Sequence, residues 1–427
     1  MPDFDLILRN AGDYPFVGIA DGKFAALAGD GRGTTEIDAT GLTFLPGLID
    51  SHVHFNEPGR ADWEGLETGS RAAAAGGITT FFDMPLNSTP PTVTAEAFHA
   101  KAALAAEKSV VDFALWGGLV PGFIDQMESL RDCGVIGFKA FMSGSGIEEF
   151  PSADFGTLRE GMKKAAALGL LVAVHAELDA MNTNSGTTIR EYLASRPVES
   201  ELAAIKAACE IAGETGCALH IVHVSSAAGV AAVAEAAANG VDVTCETCPH
   251  YLFFTHEDVE RLGAVAKCAP PIRSRVERDA LVDCLFDGKI QTIGSDHSPA
   301  PPSMKQDANF FKVWGGISGV QHLLPVLLEL GLEPEMIARL TATNVAKRFG
   351  LAKQKGRIAL GLDADFVLID RAKSETVTAE SLFYRHRQSP YIGQTFNSKV
   401  VRTFLRGKTI WERSSGYLPS RGRLITS

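Results

Sequence analysis

A pair of histidines is the first feature of this chain whose residue types and spacing suit chemistry. His52 and His54 close an apolar stretch that begins at Gly47 and reads Gly-Leu-Ile-Asp-Ser-His-Val-His. Side chains two residues apart in a strand point to the same side, so both imidazoles can bind one metal ion. The alternative is a pair of hydrogen-bonded core histidines. Two histidines on one face at a strand end favour the metal site.

Three further ionisable residues end apolar runs. His175 closes Leu-Leu-Val-Ala-Val-His, His223 closes His-Ile-Val-His, and Asp296 ends Gln-Thr-Ile-Gly-Ser-Asp. Strand alternation places His220 on the opposite face from His223, which indicates a structural role for His220. Asp296 alone could equally be a helix N-cap or a turn aspartate. Histidine nitrogen with carboxylate oxygen suits zinc, and also iron, cobalt, nickel or manganese.

Lys139 is a charged residue inside the apolar run Val-Ile-Gly-Phe-Lys-Ala-Phe-Met. Burial disfavours the ammonium form, and a neutral lysine is a nucleophile towards carbon dioxide. The product, N6-carboxylysine, is an anionic oxygen ligand that can bridge two divalent metal ions. The alternative is a lysine that reaches the rim of the fold or pairs with a carboxylate.

These residues need a scaffold that gathers the ends of strands. Short apolar runs, each followed by a stretch of helical length, recur eight times, at residues 44–54, 77–83, 112–118, 135–142, 170–177, 218–225, 241–250 and 290–298. Most are too apolar to leave one face in water, which predicts buried parallel strands. Eight such units predict an α/β fold, a (β/α)8 TIM-type barrel, whose active site lies at the C-terminal ends of the strands. The four histidines, Lys139 and Asp296 would then form one inward-facing cluster.

The two ends of the chain have a different pattern. Residues 1–43 and 355–427 carry short alternating segments separated by glycine or aspartate turns. They predict a small composite β-sandwich domain built from both termini. Residues 44–354 would form the metal-dependent barrel that carries the hydrolase site.

Composition limits the classes of function. With 427 residues, 45% hydrophobic and 21% charged, the chain can bury a large core. Its net charge of −11 argues against a nucleic-acid or anionic-membrane partner. Seven scattered cysteines do not form a disulfide pattern, and the first residues lack the features of a signal peptide. We therefore expect a cytoplasmic protein with a small-molecule substrate.

Seven motifs occur along nearly the whole chain. They are Pro46-Gly-Leu-Ile-Asp-Ser-His-Val-His, Gly137-Phe-Lys-Ala-Phe, His175-Ala-Glu, His223-Val-Ser-Ser, Cys248-Pro-His-Tyr-Leu, Lys267-Cys-Ala-Pro-Pro-Ile-Arg and Gly294-Ser-Asp-His-Ser-Pro. In these motifs and their order the chain resembles the cyclic amidohydrolase family of the urease-like amidohydrolase superfamily.

The resemblance implies a metal centre and a mechanism. His52, His54 and Asp296 would hold the more buried of two divalent metal ions, zinc being the first choice. His175 and His223 would hold the other ion, and carboxylated Lys139 would bridge them. A metal-bridging hydroxide would add to a ring amide carbon. Asp296 would act as general base and then as general acid.

Local sequences separate the branches of this family. The stretches that start at His54, Asp83, Ser295 and Trp314 resemble allantoinases, which implies hydrolysis of the hydantoin ring of allantoin to allantoate. Dihydroorotases usually have an arginine where Asn56 stands. Hydantoinases and dihydropyrimidinases usually have a tyrosine where Gly144 stands. These enzymes remain the alternatives, and a non-catalytic scaffold that reuses the fold is the alternative of another class.

Four residues are candidate substrate contacts. Asn56 could bind an amide or ureido group, with a surface-loop asparagine as the alternative. Asn87 and Ser318 lie in the stretches that resemble allantoinases, and the backbone near Ala269 would meet a ring carbonyl or N–H. Allantoinases commonly have serine at the position of Ala269, so only a backbone contact is expected there. The family resemblance also implies a homotetramer or dimer.

Overall fold

The N-terminal strands form one sheet in a computed structural model that describes residues 3–183 and 185–426. The strands are β1 (Asp3–Ala11), β2 (Tyr14–Ala20), β3 (Lys23–Ala26) and β4 (Arg32–Asp38). They are hydrogen-bonded in the order β3-β2-β1-β4, with β1 and β2 antiparallel and β4 parallel to β1. The next strand, β5 (Thr43–Pro46), belongs to a different sheet.

A closed barrel of parallel strands follows. Its strands are β6 (Leu48–Val53), β7 (Ile78–Asp83), β8 (Asp112–Leu115), β9 (Gly117–Gly118), β10 (Phe138–Phe141), β11 (Val172–His175), β12 (Leu219–Ile221), β13 (Val243–Thr247) and β14 (Thr292–Ile293). Only Trp116 separates β8 from β9, so these two form one barrel strand. A bridge between Val53 and His297 joins the first strand to the segment that follows the last strand. Each of the eight predicted runs contains one barrel strand, which confirms the (β/α)8 fold.

Helices connect the strands. They are α1 (Leu66–Ala75), α2 (Ala95–Lys108), α3 (Met127–Cys133), α4 (Phe155–Ala167), α5 (Ile189–Ser195), α6 (Val198–Thr215), α7 (Ala227–Ala238), α8 (Pro249–Phe253), α9 (His256–Leu262), α10 (Arg275–Phe286), α11 (Leu323–Glu329), α12 (Pro334–Ala338) and α13 (Asn344–Arg348). Several begin at a side chain that accepts a backbone N–H of the first turn, as Thr94, Asp154 and Ser226 do. No helix among the described residues is long and apolar enough to span a membrane.

The C-terminal strands complete the β-sandwich. They are β15 (Phe366–Asp370), β16 (Glu375–Thr376), β17 (Thr395–Phe396), β18 (Lys399–Leu405), β19 (Lys408–Glu412) and β20 (Gly416–Tyr417). Strands β16 and β17 pair with each other in a separate two-stranded sheet, and the other four belong to the sandwich. The larger sheet has the order β20-β19-β18-β15-β5. Apolar side chains of both sheets, such as Leu8, Phe44 and Phe366, form one buried cluster. This confirms a composite sandwich from both termini, whereas the division at residues 43 and 354 stays a prediction.

Candidate metal centre and active-site cavity

His52, His54 and Asp296 meet at the C-terminal end of the barrel. Nε2 of His52 lies 3.3 Å and Nε2 of His54 lies 3.4 Å from Oδ1 of Asp296. The backbone N–H of His54 donates to the carbonyl of His297 at 2.8 Å, so the barrel closure itself holds the two segments together. One ligand-type atom from each of the three side chains lies within 4.8 Å of the others, close enough to share one ion.

The second histidine pair lies beside the first. Nδ1 of His175 is 2.9 Å from Nε2 of His223, and the ring centroids of His223 and His52 are 5.4 Å apart. Burial, with His175 close by, holds the pKa of His223 well below its usual value, so this imidazole is neutral and keeps a free lone pair. Two neutral ring nitrogens this close suit a hydrogen bond or a common metal ion.

Lys139 is fully buried on β10. Its Nζ has no hydrogen-bond partner among the described residues and lies 4.9 Å from the ring centroid of Phe141. Burial lowers the pKa of Lys139 to about 7, although the carboxylates of Asp296 and Glu246 act in the opposite direction. The rim or ion-pair interpretation therefore does not describe this lysine, and a neutral amine is available at neutral pH.

Two buried glutamates, Glu246 and Glu177, support the histidines from behind, and the sequence interpretation gave them no role. Oε1 of Glu246 lies 2.9 Å from Nδ1 of His52, and Oε2 of Glu177 lies 2.9 Å from Nε2 of His175. Arg196 donates to the same oxygen of Glu177 at 2.7 Å. A carboxylate on one ring nitrogen fixes the proton there and leaves the other nitrogen free to bind a metal ion. The criterion that singled out Lys139, a charged residue inside or next to an apolar strand, also applies to both glutamates.

His220 has the structural position expected from strand alternation. Its Nδ1 lies 2.7 Å from Oγ1 of Thr244, and its Nε2 lies 3.8 Å from Oε2 of Glu246. It therefore packs behind Glu246, outside the three-residue cluster of His52, His54 and Asp296.

A cavity of about 380 Å³ opens above the histidines. All four histidines and Asp296 line it, as do two of the candidate substrate contacts, Asn87 and Ala269. Nδ2 of Asn87 lies 3.3 Å from Nδ1 of His54. The other two candidates, Asn56 and Ser318, are buried outside the lining: Nδ2 of Asn56 donates to the carbonyl of Pro299 at 3.3 Å. Their role in substrate binding stays a prediction.

A second group of acidic residues lies away from this cavity. Asp112, Asp363 and Asp365 are buried where the barrel meets the β-sandwich, with carboxylate oxygens close enough for an ion. The ammonium of Lys355 already lies among them, 2.7 Å from Asp112 and 3.4 Å from Asp363, and pairs with Asp365. This cluster is an ion-pair network that joins β8 to the residues around β15.

Known proteins match the chain along its length. A profile described as the amidohydrolase family matches residues 43–410. The allantoinase of Rubrobacter xylanophilus is 51% identical over 100% of this chain and 98% of its own, and that of Solibacter usitatus is 52% identical over 96% and 92%. A solved L-hydantoinase (dihydropyrimidinase) from Arthrobacter aurescens is 34% identical, covers 99% of this chain and 100% of its own, and superposes with a TM-score of 0.95. The chain belongs to the amidohydrolase family.

Proposed function

We propose that this protein is an allantoinase, which hydrolyses a ring amide of allantoin to give allantoate. The observation that carries this proposal is the 51% identity to an allantoinase over the full length of both chains. The neutral ring of allantoin also agrees with the absence of an arginine at position 56, where Asn56 stands.

The donor set fits two divalent metal ions. His52, His54 and Asp296 would hold one ion, and His175 and His223 would hold the other. The unpartnered, buried Nζ of Lys139 supports this assignment, because a buried polar atom without a partner is costly unless a ligand completes it. Zinc is the first candidate, followed by iron, cobalt, nickel and manganese. When bound, the ions would lower the pKa of water and polarise the amide carbonyl.

Lys139 would become the bridging ligand by reaction with carbon dioxide. The neutral amine forms an N–C bond to carbon dioxide and releases one proton, which leaves an N6-carboxylate. The reaction converts a buried base into an anionic oxygen ligand, and the positive charge of the proposed metal ions would offset the cost of burying that anion.

Asp296 would move the proton of the reaction. Its side chain lines the cavity and lies within 3.4 Å of both His52 and His54. In that position Asp296 can take the proton of the attacking water and deliver it to the ring nitrogen as the C–N bond breaks.

The cavity lining also suggests how the ring is bound. Oδ1 of Asn87 is a buried acceptor without a partner among the described residues, so it can accept a ring or ureido N–H. The backbone at Ala269 would meet a ring carbonyl or N–H. Asn56 and Ser318 would act through the residues that separate them from the cavity.

A hydantoinase or dihydropyrimidinase is the second candidate, because the L-hydantoinase superposes over the full chain. A panel of allantoin, dihydrouracil, hydantoin and dihydroorotate, with metal quantified in the same preparation, separates the two. We expect allantoin to be the preferred substrate. Opening of dihydrouracil or hydantoin with allantoin left intact would assign the protein to the second candidate.

The oligomeric state and the cellular location of the protein are further parts of the proposal. We propose a homotetramer, or a dimer, in the cytoplasm. The location is supported by the seven cysteines, each of which is described and unpaired. Light scattering coupled to size-exclusion chromatography measures the assembly directly.

A further inference from the structure

One wall of the cavity is a loop, residues 310–316, which we term the 310–316 wall. Its members Phe311, Lys312, Val313, Trp314, Gly315 and Gly316 all line the cavity. The segment is neither helix nor strand, so its carbonyls lack the partners that a helix or a sheet would provide. Something else must fix this stretch of backbone.

Two lysines, to which the sequence analysis assigned no role, provide those partners. Nζ of Lys267 donates to the carbonyls of Phe310 at 2.7 Å and Phe311 at 3.1 Å, and also to that of Val313. Nζ of Lys305 donates to the carbonyls of Trp314 and Gly316, both at 2.8 Å. Five of the seven carbonyls of the wall therefore accept from two ammonium groups.

Each ammonium uses all three of its donors. The third bond of Lys305 goes to the carbonyl of Ala264 at 3.2 Å. Burial lowers the pKa of Lys305 to about 7 and that of Lys267 to about 8, and three carbonyl acceptors on each favour the charged form. With no N–H to spare, neither lysine is free to contact a substrate.

The wall is also joined to the segment that carries Asp296. The N–H of Gly316 donates to the carbonyl of Lys267 at 2.7 Å, and the N–H of Ser298 donates to that of Ile317 at 2.9 Å. Gly316 has φ +147°, and a Cβ there would lie 2.1 Å from the carbonyl oxygen of Ser298. The backbone of the wall therefore packs directly on the loop after Asp296, and a shift of one would move the other.

We propose that Lys267 and Lys305 are positioning residues that hold the 310–316 wall and thereby set how tightly the cavity binds its substrate. They act through the wall and not on the reacting atoms. Loss of their donors frees the carbonyls to turn towards water, which widens the cavity and weakens binding more than it slows the chemical step.

The test compares Lys305→Met, which keeps length and loses every donor, with Lys305→Gln and Lys267→Gln, which keep two. We expect KM to rise about tenfold for Lys305→Met and less for the glutamine variants, with kcat changed less than KM. Metal content should equal that of the unmodified protein. Amide hydrogen exchange in peptides from residues 306–320 should become faster in the same order. Lys206→Met, which removes an exposed lysine on α6, is the matched control and should change neither readout.

This proposal rests on the proposed function only for its kinetic readout. Activity of the unmodified protein on the substrate panel tests the function, and the variants are compared on whichever cyclic amide it opens. If Lys305→Met does not fold, the glutamine variants carry the test. Unchanged exchange at the wall, a KM within about twofold of the unmodified protein, or parallel loss of kcat and metal would each overturn the proposal.

Discussion

Glu246 lies 2.9 Å from Nδ1 of His52, on the side of the ring opposite the nitrogen that approaches Asp296. Both residues are buried, and Glu246 also accepts from Oγ of Ser51 at 2.6 Å. Burial alone would raise the pKa of Glu246, but the hydrogen bond with His52 and the nearby imidazole of His220 hold this pKa well below its usual value. The charged carboxylate therefore fixes the proton of His52 on Nδ1 and leaves Nε2 as the free ligand atom.

Glu246→Gln should weaken metal binding while leaving all six proposed ligands in place. The amide keeps the size of the side chain and loses its charge, so His52 becomes a poorer ligand. We expect metal affinity to fall by about 10–100-fold, measured by competition with a coloured chelator. Glu210→Gln, at an exposed position of α6, is the matched control. Equal metal affinity in the two variants would show that Glu246 does not support the metal centre.

Lys139→Ala should lose metal and activity together, because the bridge between the two proposed ions is removed. A short carboxylic acid such as propionate replaces the missing carboxylate, and we expect partial recovery of both. Metal content by mass spectrometry and the rate of ring opening are measured with and without the acid. The same acid should not raise the rate of the unmodified protein. Full activity of Lys139→Ala without added acid would contradict carboxylation.

Asp296→Asn should slow the chemical step because an amide cannot accept the proton of the attacking water. We expect kcat to fall by about 10²–10⁴-fold, the usual contribution of a general acid–base group. Metal held at His175 and His223 should remain measurable. Asp283→Asn on α10 removes an exposed carboxylate and is the matched control. A kcat equal to that of the control would assign the proton transfer to another group.

The barrel was predictable because its strands are buried on both faces and its active-site residues interrupt apolar runs. The run at residues 44–54 did not indicate that it contains two strands of different sheets. It continues from β5 into β6, although β5 pairs with β15 and not with the barrel. The break lies at Gly47, where a Cβ would be 2.2 Å from Oγ1 of Thr79, a contact that only the folded chain reveals.

The contacts that support the site were not predictable for a similar reason. Glu246 and His52 are far apart in the sequence, and a single sequence does not show which carboxylate faces which imidazole. The two lysines of the 310–316 wall act on backbone carbonyls, which carry no sequence signal at all. Residue type therefore predicted the candidate ligands, and only the structure showed which side chains hold them in place.

Lys355→Met should destabilise the fold without touching the active site. The ammonium of Lys355 is buried among the carboxylates of Asp112, Asp363 and Asp365, which tie the barrel to the β-sandwich. Removing it leaves like charges buried together: the guanidinium of Arg406 pairs with Asp112, whereas Arg406 contacts Asp365 through its backbone N–H at 2.7 Å. We expect the free energy of unfolding to fall by about 3–5 kcal/mol, measured by denaturant titration of the metal-loaded protein. Lys353→Met, at an exposed position two residues away, should change it by less than about 0.5 kcal/mol. A similar stability for both variants would show that the network does not hold the two parts of the fold together.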